Sequence, residues 1–484
     1  MKLEKMNLKK QVFSGFVWRF VENTSAYFIS FIIQIILARL LMPEDFGLIA
    51  TASVFITIMS VFIQTGFSSA IVQKKELNEV EQSSVFYVGL VFSIILYIIL
   101  FISSGFIANF YHEPRLIFII KIQSISLVIG AIISVQTALI QREMNFKLSF
   151  IKSIISSFFQ AIVGITMALN NFGVYALVYS NLIKDIVVLI IILIIIDWKP
   201  KKTFSWYSVK KLFSFSSKVL LTALMNTIRD NTRSLIIGKK YSSEMLGYYN
   251  RGYQLPSLVM SNAVGALNSI LFPTLSKVQD DHENVLKMYR CILKIACFIT
   301  FPLMLGLIVL AEPIIIILFT EKWAMSIPYV RLTSIQCMIL PFAMCLQVFL
   351  SIGRSDLVLK LCIYGFIISF TSLFITYNYG VYWLVVGLII AEALYCLGEM
   401  AVLQKVMKYS ILRQFFDVWK SIFSAIIMAF MVYLITIPQY SNLLKLVIGI
   451  PFGIIIYYVF SVLIKNESLF YIKDIIKSYY YSHK

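Results

Sequence analysis

Several stretches of this sequence set ionisable and amide side chains at helical spacing inside apolar surroundings. Arg19, Glu22, Asn23, Ser30 and Gln34 recur every three or four residues, so a helix gathers them approximately on one face. Ser53, Thr57, Ser60 and Gln64 do the same in the next apolar stretch. Farther on, Thr222, Asn226, Arg229, Asp230 and Arg233 form a third group, and Asn250, Gln254, Ser257, Ser261 and Asn268 a fourth, with Arg251 among them. Guanidinium groups are planar forks of donors that stay charged when partly desolvated, so Arg19, Arg229, Arg233 and Arg251 suit the oxygens of an anionic, phosphorylated cargo. Asn250 and Gln254 add amide contacts to the same candidate binding set. Glu22 and Asp230 either pair locally with the arginines or titrate as ion-coupling groups, exchanging a proton or sodium ion. The competing reading is that Arg19 with Glu22, and Arg229 with Asp230 or Arg233, are interior ion pairs that fix helix packing. Ionisable residues persist inside a membrane chiefly where they face a bundle interior or a water-filled path.

The elements that carry these groups are predicted to be transmembrane helices. The chain has 484 residues, of which 60% are hydrophobic and only 14% charged. Its mean hydropathy of +0.86 is distributed in runs of about 20 apolar residues, long enough to cross a hydrocarbon core of about 30 Å. A soluble fold has nowhere to bury so many such runs. Stretches such as Ile186 to Ile196 are continuously apolar and lack the alternation of a barrel strand, which excludes a transmembrane β-barrel. The six cysteines fall inside predicted spans without CxxC spacing or a neighbouring histidine, and read as packing residues with no metal site. No cofactor is expected. The only histidines are His112, His282 and His483, none beside a plausible nucleophile, so acid–base catalysis has little support and the chain reads as a non-enzyme. Lys2, Lys5, Lys9 and Lys10 precede an apolar segment too long for a signal-peptide core, so the first helix is expected to be retained.

Hydropathy read against charged and Gly/Pro/Asn-rich breaks places spans near 12–38, 46–66, 83–107, 116–140, 148–169 and 173–197. A second series follows near 214–238, 246–272, 288–311, 328–351, 356–377 and 380–404, then a final pair near 415–437 and 443–465, about fourteen in all. Alternate connections are plainly basic: Lys74 and Lys75, Arg142 and Lys147, Lys199 to Lys211, Lys277 to Arg290, Arg354, Lys405 to Arg413, and Lys465 to Lys484. The opposite set is nearly free of lysine and arginine, which predicts both termini in the cytoplasm. The net charge of +18 is mostly this effect, and its dispersal along membrane boundaries argues against a nucleic-acid partner.

The two series repeat. Asn171-Phe-Gly-Val-Tyr-Ala-Leu-Val178 returns as Asn378-Tyr-Gly-Val-Tyr-Trp-Leu-Val385, each at the start of the sixth span of its half. Pro43-Glu-Asp-Phe-Gly47 has an echo in Ser243-Glu-Met-Leu-Gly247, and Lys121-Ile-Gln-Ser-Ile125 in Arg331-Leu-Thr-Ser-Ile335, in the same order. An even number of spans per unit gives parallel repeats about an axis along the membrane normal. The expected architecture is therefore all-α: a six-helix lobe over 1–204, a second over 205–410, a cavity between them, and a helix pair with a tail over 411–484.

Leu246-Gly-Tyr-Tyr-Asn-Arg-Gly-Tyr-Gln-Leu-Pro-Ser257 resembles the signature of bacterial polysaccharide flippases, the Wzx-type members of the MOP transporter superfamily. Ala38-Arg-Leu-Leu-Met-Pro-Glu-Asp-Phe-Gly-Leu48 resembles that family's first-loop motif, and Ala311-Glu-Pro through Lys322-Trp323 its connection between the ninth and tenth spans. The resemblance implies two six-helix lobes plus two further helices and alternating access through a cationic cavity. It implies transport of undecaprenyl-pyrophosphate-linked oligosaccharide across the bacterial cytoplasmic membrane for O-antigen, capsule or exopolysaccharide assembly. Implied partners are that polyprenyl pyrophosphate, membrane lipid, and a polysaccharide polymerase with its chain-length regulator. Arg251 lies inside the matching signature, whereas Arg19, Arg229 and Arg233 are chosen by position and charge. A MATE-like multidrug exporter and a lipid II flippase are rivals within the superfamily. A membrane polymerase or ligase is a rival outside it, disfavoured because the segment Glu312 to Pro328 is too short for a catalytic outer domain.

Overall fold

A computed structural model of the chain describes residues 28–63, 78–142, 146–276, 281–438 and 440–473. Arg19, Glu22, Asn23 and Gln64 lie outside the described residues. The chain divides into two compact units, Met1–Gly247 and Tyr248–Lys484. Helices α1 (Phe28–Leu40), α2 (Pro43–Ile63), α3 (Glu79–Tyr111), α4 (Arg115–Gln123), α5 (Ile125–Arg142), α6 (Phe146–Leu169), α7 (Val174–Ile195) and α8 (Trp206–Lys240) belong to the first. Helix α9 (Ser243–Ser276) opens in the first unit and continues in the second. The second unit holds α10 (His282–Val309), α11 (Ala311–Phe319), α12 (Ile327–Ile339), α13 (Cys345–Ser351), α14 (Ser355–Thr376), α15 (Val381–Met407), α16 (Ile411–Thr436) and α17 (Asn442–Leu463).

Among the described residues, 11 helical stretches are long and apolar enough to cross a membrane, so this is a multi-pass membrane protein. Helix α8, with 35 residues, and α9, with 34, also have the length of a span. Together with α1, whose described part is short, these helices are compatible with the expected series. Observed and expected spans differ mainly at their ends. The span expected near 83–107 runs over Glu79–Tyr111 because polar turns continue the helix beyond the apolar run. The segment Glu312 to Pro328, expected as a connection, is itself helical: α11 is followed by a 3-10 turn, Glu321–Ser326. Its apolar run Ile314 to Ile317 gives that short helix a face to bury.

Hydroxyl groups within the spans satisfy themselves on their own helix. Ser93 donates to the carbonyl of Leu90 at 2.8 Å and Ser104 to that of Phe101 at 2.7 Å. Such bonds let serine sit where no water is available, and its small size admits a close neighbour. The core of the first unit gathers Leu48, Ala52, Leu100, Leu116, Ile119 and Val178; that of the second gathers Tyr289, Ala296, Cys297, Cys345, Met400 and Ala425. Small residues recur in both because lipid supplies no hydrophobic drive between helices, and close van der Waals fit must do the work.

Two features of the duplicated sequence reappear as geometry. Gly173 and Gly380, the glycines of the specific repeat, each stand immediately before a helix, α7 or α15, with φ of +54° and +99°. A side chain is strained in that region, so both copies need glycine there. The weaker echo meets itself within the first unit. A Cβ on Gly47 would overlap the backbone carbonyl of Ser243, and one on Gly247 would overlap that of Pro43. The first turns of α2 and α9 thus touch backbone to backbone, each through the glycine five positions into its own echo. Gly247→Leu is expected to cost about 1–3 kcal/mol of stability by overpacking, measured as a lower melting temperature of the detergent-solubilised protein. Gly105→Ala, where nothing lies within 4 Å of the added Cβ, is expected to leave melting unchanged.

Candidate functional site

Helix α8 carries its polar groups as the spacing predicts. At about 100° per residue, Thr222, Asn226, Arg229, Asp230 and Arg233 fall within one narrow arc. Thr222 and Asp230 are exposed, while Asn226, Arg229 and Arg233 are half-buried. Arg229 and Asp230 form a loose ion pair at 3.4 Å in which the carboxylate side chain remains 59% exposed. Such an exposed pair by itself contributes little to stability. The surrounding polar groups turn back on their own helix: Asn231 donates to the carbonyl of Thr227 at 2.8 Å and Thr232 to that of Ile228 at 2.6 Å.

Helix α9 separates residues that the linear sequence sets side by side. Asn250, Gln254, Ser257 and Ser261 lie along one stripe, and Asn250 and Gln254 are half-buried; the side chain of Asn268 lies outside the described residues. Arg251 is one residue away, hence about 100° around the helix, and is 3% exposed within the second unit. Its guanidinium carbon lies 4.8 Å from the ring centre of Phe319 and 4.9 Å from that of Trp323, and its Nη1 donates to Gln254 Oε1 at 2.7 Å. Guanidinium stacks favourably on aromatic faces, most strongly when water is excluded. Here the flanking residues reinforce the same contact. Tyr248 meets Trp323 edge-on with ring centres 6.1 Å apart, Tyr249 meets Tyr329 at 6.0 Å, and Thr333 donates to the Gly252 carbonyl at 2.9 Å. The signature segment and the segment Ala311 to Trp323 therefore pack directly on each other inside the second unit.

Arg251 with Gln254, and Arg229 with Asp230, are brought together in pairs; the first pair lies in the second unit and the other in the first. One charged cluster escaped the sequence reading. Arg290 on α10 donates to both carboxylate oxygens of Asp417 on α16, at 2.6 and 2.9 Å, and Tyr409 donates to the same carboxylate at 2.5 Å. Lys294 reaches Asp417 at 3.7 Å and Glu467 at 2.7 Å. The Lys294 ammonium holds the Glu467 carboxyl below its ordinary range. The available signal was Asp417 itself, an acid set among Arg413 and Lys420 near a span end, where a carboxylate needs a partner. This bidentate pair clamps the terminal helix pair to α10.

Removing the guanidinium from between two rings is expected to destabilise the second unit. Arg251→Ala should lower the melting temperature by an amount corresponding to about 2–4 kcal/mol, the combined loss of packing and cation–π contact. Arg251→Lys should lose less, and Arg229→Ala should leave melting nearly unchanged. Thermal unfolding of the three purified variants checks this order.

A family profile described as polysaccharide biosynthesis protein matches residues 36–328. The succinoglycan biosynthesis transport protein ExoT of Rhizobium meliloti (strain 1021) is 26% identical over 320 residues, covering 66% of this chain and 64% of that protein. The lipopolysaccharide biosynthesis protein WzxC of Escherichia coli (strain K12) is 24% identical over 343 residues, 68% of each chain. The aligned part thus spans about two thirds of the length of the curated relatives it matches. Among solved structures, the lipid II flippase MurJ in an inward closed conformation superposes with a TM-score of 0.77 at 18% identity, over 95% of this chain and 100% of that one. An inward-facing multidrug resistance MATE family transporter of the MOP superfamily gives 0.65 at 16% identity, over 79% of this chain and 94% of that one. These structural likenesses show a shared fold. The profile match covers more than half of the sequence, and the chain belongs to the polysaccharide biosynthesis protein family, built on the fold of MOP superfamily transporters.

Proposed function

We propose that this protein is a flippase that carries an undecaprenyl-pyrophosphate-linked oligosaccharide repeat unit from the cytoplasmic to the outer leaflet of the bacterial inner membrane. The observation that carries the reading is the family match together with a span-length helix, α8, that sets Arg229, Asp230 and Arg233 in its second half. A helix of that kind is tolerated in a membrane only where its polar face meets protein or water. In this reading the repeats over 1–204 and 205–410 are the two lobes, 411–484 is an accessory helix pair, and both termini are cytoplasmic. Arg229 and Arg233, with Arg19, grip the pyrophosphate as multidentate donors. Asn250 and Gln254 meet polar groups of the headgroup or sugar, and Glu22 and Asp230 are the ion-coupling carboxylates. Arg251 belongs to the same set through Gln254, which it orients from its aromatic seat. The work is transport by alternating access, coupled downstream to a polymerase and a chain-length regulator.

Likeness to the lipid II flippase over 95% of the chain favours one second reading, a related lipid-linked cargo. Both cargoes present a polyprenyl pyrophosphate, so the test must separate them by the sugar. Deleting the chain from its source bacterium is expected to abolish a surface glycan and strand its lipid-linked unit on the inner leaflet. The wild-type chain should restore the glycan, and a folded Arg229→Ala/Arg233→Ala double variant should restore at least about tenfold less, the effect of losing roughly 1.4 kcal/mol of binding. Normal glycan with both arginines gone would reject the α8 site. Rescue of a strain depleted of its lipid II flippase, with no effect on surface glycan, would transfer the assignment to the second reading.

A further inference from the structure

The first unit contains an apolar slot of about 510 Å³ whose described lining is Phe62, Val88, Phe92, Trp206, Val209, Leu220 and the cation Lys210. Its walls come from the end of α2, the first half of α3 and the first half of α8. On α8 the lining residues share one stripe, and Trp206 to Leu220 span about 20 Å at about 1.5 Å per residue. The slot is therefore long and narrow, running along the helix axes from the beginning of α8 toward the middle of the span.

Its mouth is firmly constructed. The connection before α8 is pinned to the first turns of α3: the Lys201 amide donates to Ser83 Oγ at 3.0 Å, the Ser205 amide to Ser84 Oγ at 2.8 Å, and the Lys201 ammonium pairs with Glu79. Glu81 accepts from the Asn78 amide at 3.3 Å and fixes the start of α3. Phe204, Trp206 and Tyr207 stand exposed at this level, as aromatic residues do at a membrane boundary. Lys202 and Lys210 are exposed beside them, within the basic connection that the charge asymmetry assigns to the cytoplasm. An apolar slot one helix-half deep, open at a boundary rimmed with ammonium groups, matches a ligand with a long hydrocarbon chain and an anionic head at the same end. Phe62 and Phe92 in the wall pack on each other with ring centres 6.0 Å apart, which joins α2 and α3 along the slot.

We infer that this slot holds the isoprenoid chain of a polyprenyl phosphate entering from the cytoplasmic leaflet, with Lys210 at the level of the phosphate. The inference rests on the flippase reading for its choice of chain and goes beyond it, because it places the lipid tail in α2, α3 and α8 of the first unit, away from the arginines assigned to the headgroup. Leu220 and Arg229 are on the same helix, so the tail slot lies nine residues before the proposed pyrophosphate contacts.

Undecaprenyl phosphate carrying a diazirine near the end of its chain is the probe, applied to the full-length wild-type protein in nanodiscs. Label is expected in peptides containing Val88, Phe92 or Leu220, reduced about tenfold by excess undecaprenyl phosphate and not by equal phosphatidylglycerol. Val88→Trp, which fills the slot, should weaken retention of undecaprenyl phosphate in native mass spectrometry about tenfold, and Phe92→Trp serves if Val88→Trp does not fold. Lys210→Glu should weaken the phosphate several-fold while leaving undecaprenol unchanged. Equal displacement by phosphatidylglycerol would make this an ordinary acyl-chain site and overturn the inference, as would label confined to other helices or unaltered retention in a folded slot-filling variant. Labelling in the slot by a chain that restores no glycan would uphold the slot and remove the flippase reading; restored glycan with label elsewhere would do the reverse.

Discussion

The approach of two helix starts through paired glycines constrains much of the rest. At Gly47 and Gly247 the separation is set by backbone atoms alone, with no side chain to yield. Gly238 nearby is held by Thr51, Leu246 and Tyr111, which draws α8 and α3 into the same packing. Gly252 is received by the backbone of α12 at Tyr329 and Val330. Both ends of the signature segment are thus seated by close backbone contact, one in each compact unit. In lipid, where apolar surface gains nothing by leaving one apolar neighbour for another, contacts of this kind set helix positions more sharply than large side chains do.

Much of this was legible in the sequence. The spans were readable because every long apolar run must be helical to satisfy its backbone in hydrocarbon. The duplication was readable at Asn171 to Val178 because a positive-φ glycine before a helix leaves a local mark that drift in the apolar residues cannot erase. Arg251 was harder to place. Its neighbours Asn250 and Gln254 made it look like part of the same stripe, yet one residue of helix turns a side chain by about 100°. Helical phase, applied residue by residue, would have separated it. What phase could not reveal is the aromatic seat, because Phe319 and Trp323 are distant in sequence and only the fold brings them over the guanidinium. Asp417 is the same kind of case: an acid in a basic neighbourhood announces a partner without naming Arg290.

Charge is handled in two ways that map onto two kinds of role. Arg251, Arg290 and Lys294 are committed to fixed partners, two rings and an amide for the first, Asp417 and Glu467 for the others. Such groups lose their solvation once, on folding, and are held there by geometry. The α8 stripe is different. Asp230 remains mostly exposed, its pair with Arg229 is long, and the adjacent amide and hydroxyl groups bond to their own helix. A carboxylate kept that solvated can exchange one partner for another at small cost, as the proposed transport of a phosphate requires and a structural clamp does not.

That contrast also bears on why the proposed reading assigns the headgroup contacts to α8. A span-length helix that is polar along one side is unstable against lipid, so it must be covered by protein or water on that side throughout any movement. The remaining surface of α8 meets α2 and α3, and that of α9 meets the α11–α12 segment. A phosphorylated headgroup and its hydrocarbon tail make opposite demands of solvent. In the proposed reading the second half of α8 carries the arginines and its first half lines an apolar slot, so the two demands fall on different residues. With the phosphate proposed at Lys210 on entry and Arg229 and Arg233 farther along the same helix, the slot and the arginine stripe are successive stations for one ligand along α8, not seats for its two ends at once.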